Sequence, residues 1–134
     1  MRVVVDTNVI VSGLLVATSP PAEIVKMIAT GVLQLCYDAR IVVEYKRVLG
    51  YSKFPFTQEE IDAFIVKAVS AGFPSGAAVL GKDLPDKNDN KFLEVALSSK
   101  VEFLVTGNIK HFPPHAGVKI VIPRDFMREL KKRS

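Results

Sequence analysis

The sequence predicts an α/β protein, a three-layer α/β/α sandwich around a mainly parallel central sheet. Three observations carry that expectation. The run Val3-Val4-Val5 lacks the period-2 alternation of a strand with one wet face, so it reads as a strand buried on both faces, the habit of parallel sheets. Strand-like runs then alternate with stretches of helical spacing along the whole chain, the pattern of a parallel sheet covered by helices on both faces. No linker, internal repeat or low-complexity segment interrupts the pattern, which predicts a single domain over residues 1–134.

The first strand ends at Asp6, and Thr7 or Asn8 is placed to cap a short helix reaching Leu15. Thr18-Ser19-Pro20-Pro21-Ala22-Glu23 is a turn and helix start, Ile24, Val25, Met27 and Ile28 follow at helical spacing, and Gly31 ends that helix. Leu33 to Tyr37 is a second buried strand. Asp38 caps a helix from Ala39 to about Leu49 that carries Glu44 among largely apolar neighbours. Thr57-Gln58-Glu59-Glu60 is a capping box for a helix with Ile61, Phe64, Ile65, Ala68 and Val69 on one face and Gly72 beyond its end. Ala77-Ala78-Val79-Leu80 is a weak strand candidate. An amphipathic helix follows from Asp89 at its first turn to Ser99, then a buried strand from Val101 to Thr106 that stops at Gly107-Asn108. A short turn or helix passes through Lys110, His111 and Phe112. Lys119 to Ile122 is the last strand, and Pro123 opens a final helix.

Hydrophobic residues make up 49% of the chain and charged ones 24%, a globular composition. The lone cysteine, Cys36, excludes an internal disulfide and lies in an apolar run, as a buried thiol in a reducing cytoplasm would. The apolar runs are too short for a secretory leader or for the roughly 20 residues of a membrane span, so a cytoplasmic protein with no membrane partner is expected. A net charge of +4 is compatible with a polyanionic partner without establishing one. The basic tail of Arg128, Lys131, Lys132 and Arg133 reads either as a phosphate contact or, more commonly for such a segment, as a frayed terminus.

Chemistry enters through convergence. Asp6 lies just beyond the end of a strand, where sites collect in open α/β sheets. Asp89 stands at a helix start, and Thr106-Gly107-Asn108 follows another strand end. Glu44 can join them if its helix packs beside the first strand with that face inward. Taken singly, Asp6 is a helix cap and Glu44 a surface acid paired with Arg40, Lys46 or Arg47. Together they form an oxygen-only donor set suited to Mg²⁺ or Mn²⁺, since Cys36, His111 and His115 lack ligand spacing and the histidines read as loop residues. Like charges about 4 Å apart repel by roughly 4 kcal/mol at an effective dielectric near 20, so such acids call for a cation. A divalent ion among them can lower the pKa of a water and stabilise in-line displacement at phosphorus.

The order Val3-Val4-Val5-Asp6-Thr7-Asn8-Val9, Val43-Glu44-Tyr45, Asp89-Asn90-Lys91-Phe92-Leu93-Glu94-Val95-Ala96 and Leu104-Val105-Thr106-Gly107-Asn108 resembles that of PIN domains. These are the metal-dependent nucleases that include the VapC-type toxins of prokaryotic toxin–antitoxin pairs. The resemblance spans nearly the whole chain. It implies a metal-dependent endoribonuclease using Mg or Mn, with Asp6, Glu44 and Asp89 as metal ligands directly or through water, and with Asp86 in a lesser role. It further implies RNA as substrate, a cognate antitoxin, and a homodimer or higher homo-oligomer. Thr7, Asn8 and Thr106 are expected to position substrate or water. Many members carry an acid where this chain has Asn108; the amide can still accept a water or coordinate a hard cation and would orient water, but it brings no charge.

Two other readings compete. A PIN-like fold that binds RNA or protein without cutting is favoured by Asn108 and the basic tail. A haloacid-dehalogenase-like phosphatase is suggested by Val3-Val4-Val5-Asp6 with Leu104-Val105-Thr106, but Asn8 stands where that family has its second acid, and beyond Thr106 only the isolated Asp125 follows.

Overall fold

The structure is a computed structural model, and it describes every residue except Ala77, Ala78 and Ala116. Strands β1 (Arg2–Val5), β2 (Gln34–Tyr37), β3 (Phe73–Pro74), β4 (Phe103–Val105) and β5 (Lys119–Val121) form one sheet in the order β3-β2-β1-β4-β5. Every pairing within it is parallel. β1 is central, and the lack of alternation in its sequence has a direct cause: Val3, Val4 and Val5 are all fully buried, one face against each helical layer. In register, Val3 lies opposite Leu35 on one side, while Val4 and Val5 lie opposite Leu104 and Val105 on the other.

The helices are α1 (Thr7–Leu15), α2 (Pro20–Thr30), α3 (Ala39–Leu49), α4 (Gln58–Ala71), α5 (Asn90–Ser99) and α6 (Pro123–Lys132). The chain steps outward from β1 to β2 to β3, then crosses back over β2 and β1 to β4. Right-handed crossovers therefore place α5 on the face opposite to α1, α2 and α4, while α3 touches both α1 and α5. Accordingly α5 packs on β1, β2 and β4, while α2 packs with α1, α4 and α6. The reversal of direction falls between β1 and β4, the place where open α/β sheets build their sites.

Local chemistry fixes most boundaries. Ser19 Oγ accepts from Ala22 N at 3.2 Å, Asp38 Oδ1 accepts from Ile41 N at 3.1 Å, and Thr57 and Glu60 complete both bonds of the capping box. Gly31 ends α2 at φ 80°, in the left-handed region that glycine enters freely. The cap of α1 differs from expectation. Asp6, not Thr7 or Asn8, takes the N-cap position, and its side chain makes no capping bond because it is engaged elsewhere.

Two expectations are corrected. Of the strand candidate 77–80, Ala77 and Ala78 lie outside the described residues and Val79 and Leu80 carry no strand; among the described residues the outer strand beside β2 is Phe73–Pro74. Pro74 is admissible there because an edge residue need not donate to a further strand. The basic tail is not frayed either. α6 runs to Lys132, and Arg133 grips Glu102 with bonds of 2.8 and 2.6 Å while touching Glu129 at 3.2 Å. Cys36 is buried, as its apolar setting predicts. Among the described residues, no single helix is long and apolar enough to cross a membrane.

The turn between α1 and α2 is tight, with the helix axes changing direction by 100°. A Cβ on Gly13 would stand 2.4 Å from Val25 Cγ2 and 2.5 Å from the Pro21 carbonyl oxygen, and the latter cannot rotate away. Gly13→Ala is therefore expected to lower stability by about 1–3 kcal/mol, seen as an earlier urea midpoint at unchanged slope.

Candidate metal centre

Asp6 is held from three directions. Its backbone N–H donates to the Val105 carbonyl at 2.9 Å, prolonging the β1–β4 pairing by one residue. Its Oδ2 accepts from the Thr106 hydroxyl at 2.8 Å and lies 3.4 Å from Asn8 Nδ2. Thr106 in turn accepts from Asn108 N at 3.0 Å, and Asn8 Oδ1 accepts from Gly107 N at 3.1 Å. Thr106 is completely buried, so its hydroxyl needs both roles. These bonds fasten the loop after β4 to the first turn of α1.

Glu44 reaches the same rim through its neighbour. Tyr45, buried on α3, donates its hydroxyl to the Val5 carbonyl, the last of β1. That bond sets α3 beside the central strand and turns Glu44 toward Asp6. Glu44 Oε2 accepts from the Thr7 hydroxyl; Oε1 lies 2.7 Å from Lys91 Nζ and 3.8 Å from Arg47 Nη2.

Asp89 closes a 3₁₀ turn over Lys87–Asp89, which Asp86 caps by accepting from Asn88 N at 2.9 Å. It sits at the N-cap of α5 without a capping bond. Its Oδ2 is buried and has no hydrogen-bond partner. His111 Nδ1 approaches that oxygen to 3.2 Å, a contact of opposite charges whenever the ring is protonated. Among the described residues, Asp86, Asp89 and His111 offer ligand atoms all within 4.8 Å of one another. Asp6 and Glu44 stand outside that circle but within electrostatic reach of it and of each other. The short turn or helix expected through His111 is a 3₁₀ turn, Ile109–His111, and it differs from the sequence reading in bringing His111, read as a loop residue without ligand spacing, up to Asp89. Asn108, exposed on the rim, directs its Nδ2 to the His111 ring at 3.1 and 3.4 Å.

Crowding of acids shows in their proton affinities. Burial pushes the Asp6 carboxyl up from 3.8 to about 6; the Thr106 hydroxyl and the Thr7 N–H oppose the rise, while the charges of Asp89 and Glu44 add to it. Asp89 is raised as well, by burial first and by Asp86 second, against the pull of His111 and Lys91. A buried carboxylate oxygen without a hydrogen bond, on one of two neighbouring acids whose proton affinity is raised, is what a divalent cation would satisfy. The donor set of carboxylate oxygens with one imidazole fits a hard or borderline ion.

A sequence reading overlooks three participants here, Tyr45, Lys91 and His111. Their only sequence signal is proximity, Tyr45 next to Glu44, Lys91 two residues beyond Asp89, and His111 three beyond Asn108 on a tight turn.

The raised Asp6 makes a prediction for the protein free of divalent ions. The folded state holds the Asp6 proton more tightly than the unfolded chain does, so this contribution to stability is complete below pH 3.8 and is lost as pH rises through about 6. The displacement amounts to about 3 kcal/mol. Asp6→Asn, measured in EDTA by denaturant unfolding, should therefore be more stable than the native sequence by up to that amount at pH 7.5 and equal to it near pH 3.5. A constant difference across the range would disprove the assignment.

No curated protein matches the chain. Among solved structures, it is similar to a chain in the crystal structure of VapBC2 from Rickettsia felis bound to a DNA fragment from their promoter, with a TM-score of 0.58 and 16% identity over 90% of this chain and 97% of that one. At that identity the likeness is one of fold. The family profile described as PIN domain matches residues 2–110, a span that takes in β1 to β4 together with Asp6, Glu44, Asp89 and Asn108, and the chain belongs to the PIN domain family.

Proposed function

We propose that this protein is a metal-dependent endoribonuclease that hydrolyses RNA phosphodiester bonds in the cytoplasm, as the toxin of a toxin–antitoxin pair, working as one domain over residues 1–134. The observation that carries the reading is the buried Asp89 oxygen, faced by His111 without a hydrogen bond, close to Asp86 and within electrostatic reach of Asp6, the acid at the carboxyl end of β1. Membership in the PIN domain family supports it, and the fold shared with a chain of a VapBC2 complex supports an antitoxin as protein partner. Self-association as a homodimer or higher oligomer belongs to the same proposal.

In this reading Asp6, Glu44 and Asp89 hold Mg²⁺ or Mn²⁺, Asp86 assists, and His111 adds a nitrogen that favours Mn²⁺ over Mg²⁺. When bound, the ion supplies charge that acidifies a water and stabilises in-line displacement at phosphorus. Thr106 and Asn8 hold the Asp6 carboxylate in one orientation, Thr7 does the same for Glu44, and the Asn108 carbonyl orients the attacking water. Two clefts flank the acids. One is lined by Asn8, Gly107, Asn108, Pro123 and Arg124, the other in part by Arg40 and Arg47, so a single RNA strand crossing the rim meets cations on either side.

The test is cleavage of an end-labelled, mixed-sequence RNA in Mn²⁺, Mg²⁺ or EDTA, beside Asp6→Asn. Metal-dependent cutting that falls to background in the variant is expected, with Mn²⁺ the better ion. RNA bound but uncut under every condition would favour the non-cleaving binding module, which the uncharged Asn108 permits. A separate expectation concerns Asn108 itself: Asn108→Asp should tighten Mn²⁺ binding about tenfold, or about 1.4 kcal/mol, in calorimetric titration. Superimposable titrations would remove Asn108 from the centre.

A further inference from the structure

Lys91 is the second residue of α5, and lysine ammonium groups ordinarily extend into water. This one does not: its side chain is only 13% exposed. The chain folds back over the Phe92 ring, with Nζ 5.1 Å from the ring centroid, donates to the Asn88 carbonyl, and brings the ammonium 2.7 Å from Glu44 Oε1. Glu44 is itself 14% exposed, so the pair is shielded from solvent on both sides. The same ammonium attracts Asp89, and therefore acts on two of the three central acids. Arg47, at 3.8 Å and 60% exposed, is a looser second partner of Glu44.

From this geometry we infer that Lys91 is a tethered cation that occupies a divalent ion's place against Glu44, and that Glu44 can ligate an ion only after Lys91 leaves it. The inference rests on the metal-dependent reading above and concerns how that centre admits its ion. Glu44 Oε2 has one lone pair committed to the Thr7 hydroxyl and Oε1 is held by the ammonium, so an ion reaching either oxygen of Glu44 meets the Lys91 charge at close range. Two cations cannot share one carboxylate oxygen at contact distance without strong mutual repulsion. Metal binding must then break the Lys91–Glu44 pair, which weakens the apparent affinity and admits the ion only above a threshold concentration. A lysine that merely tied α5 to α3 would stabilise the fold without opposing the ion.

The experiment is Mn²⁺ titration by calorimetry of the full chain, of Lys91→Gln, and of Lys87→Gln as a control for an exposed charge nearby. Lys91→Gln is expected to bind Mn²⁺ about tenfold more tightly, and Lys87→Gln to stay within about threefold of the native chain. Equal or weaker binding by Lys91→Gln, or equal tightening in both variants, overturns the inference. Binding by Lys91→Gln alone, with none by the native chain, supports the inference while removing the nuclease reading from the native protein; no binding by either overturns both. Should Lys91→Gln fail to fold, the native chain answers by NMR of its ¹⁵N-labelled lysine ammonium groups. The Lys91 signal should shift and lose its protection from exchange as Mg²⁺ saturates the centre, and an unchanged signal at saturation overturns the inference.

Discussion

The Thr106 hydroxyl donates a hydrogen bond to Asp6 and accepts one from the Asn108 backbone N–H, and the architecture of the rim follows from that pair of bonds. The hydroxyl is fully buried, so neither bond can be traded for water, and the loop beyond β4 has one conformation that satisfies it. Asp6 is thereby pinned in orientation while remaining poorly solvated. Asn8 and Gly107 repeat the connection one step further out. A carboxylate held in this way is costly to the fold and prepared for a cation, and the two properties have one origin.

The rim divides its charges unevenly. Glu44 is compensated by Lys91 and Arg47, whereas Asp6 is met mainly by neutral hydroxyl and amide groups, and Asp89 by an imidazole. Burial, first of all, raises the proton affinity of Asp6 and of Asp89. This is a common trade in sites built on rigid strand ends, where stability is given up locally for groups held ready to act. The sheet can bear it because β1 and β4 carry fully buried valines and leucines immediately before Asp6 and Thr106.

Much of the fold is legible in the sequence because its signals are local. Ser19, Asp38 and the Thr57–Glu60 box are caps read from their own few residues, and Val3-Val4-Val5 announces a doubly buried strand without reference to anything else. The outer strand is not legible: two residues, one of them proline, carry no pattern, and β3 exists only because β2 offers it an edge. At the site, acids placed at strand and helix ends can be picked out singly. Their meeting depends on strand order, since Thr106 and Asp6 are 100 residues apart and touch only because β4 returns to lie beside β1. The inward turn of Glu44 is set by Tyr45, whose hydroxyl finds a backbone carbonyl that no sequence window contains. His111 is missed because its tight turn aims the ring at Asp89 from the far side of the sheet crossover.

The short outer strand also bears on assembly. With Pro74 as its last residue, β3 offers a second sheet almost no free donors, and its two residues end before a ladder could grow. Copies of this chain, or a partner offering an extended segment, gain little by continuing the sheet there. At this edge of the sheet, therefore, helical faces and loops are the surface left to meet another molecule, and recognition there would depend on side-chain shape and charge.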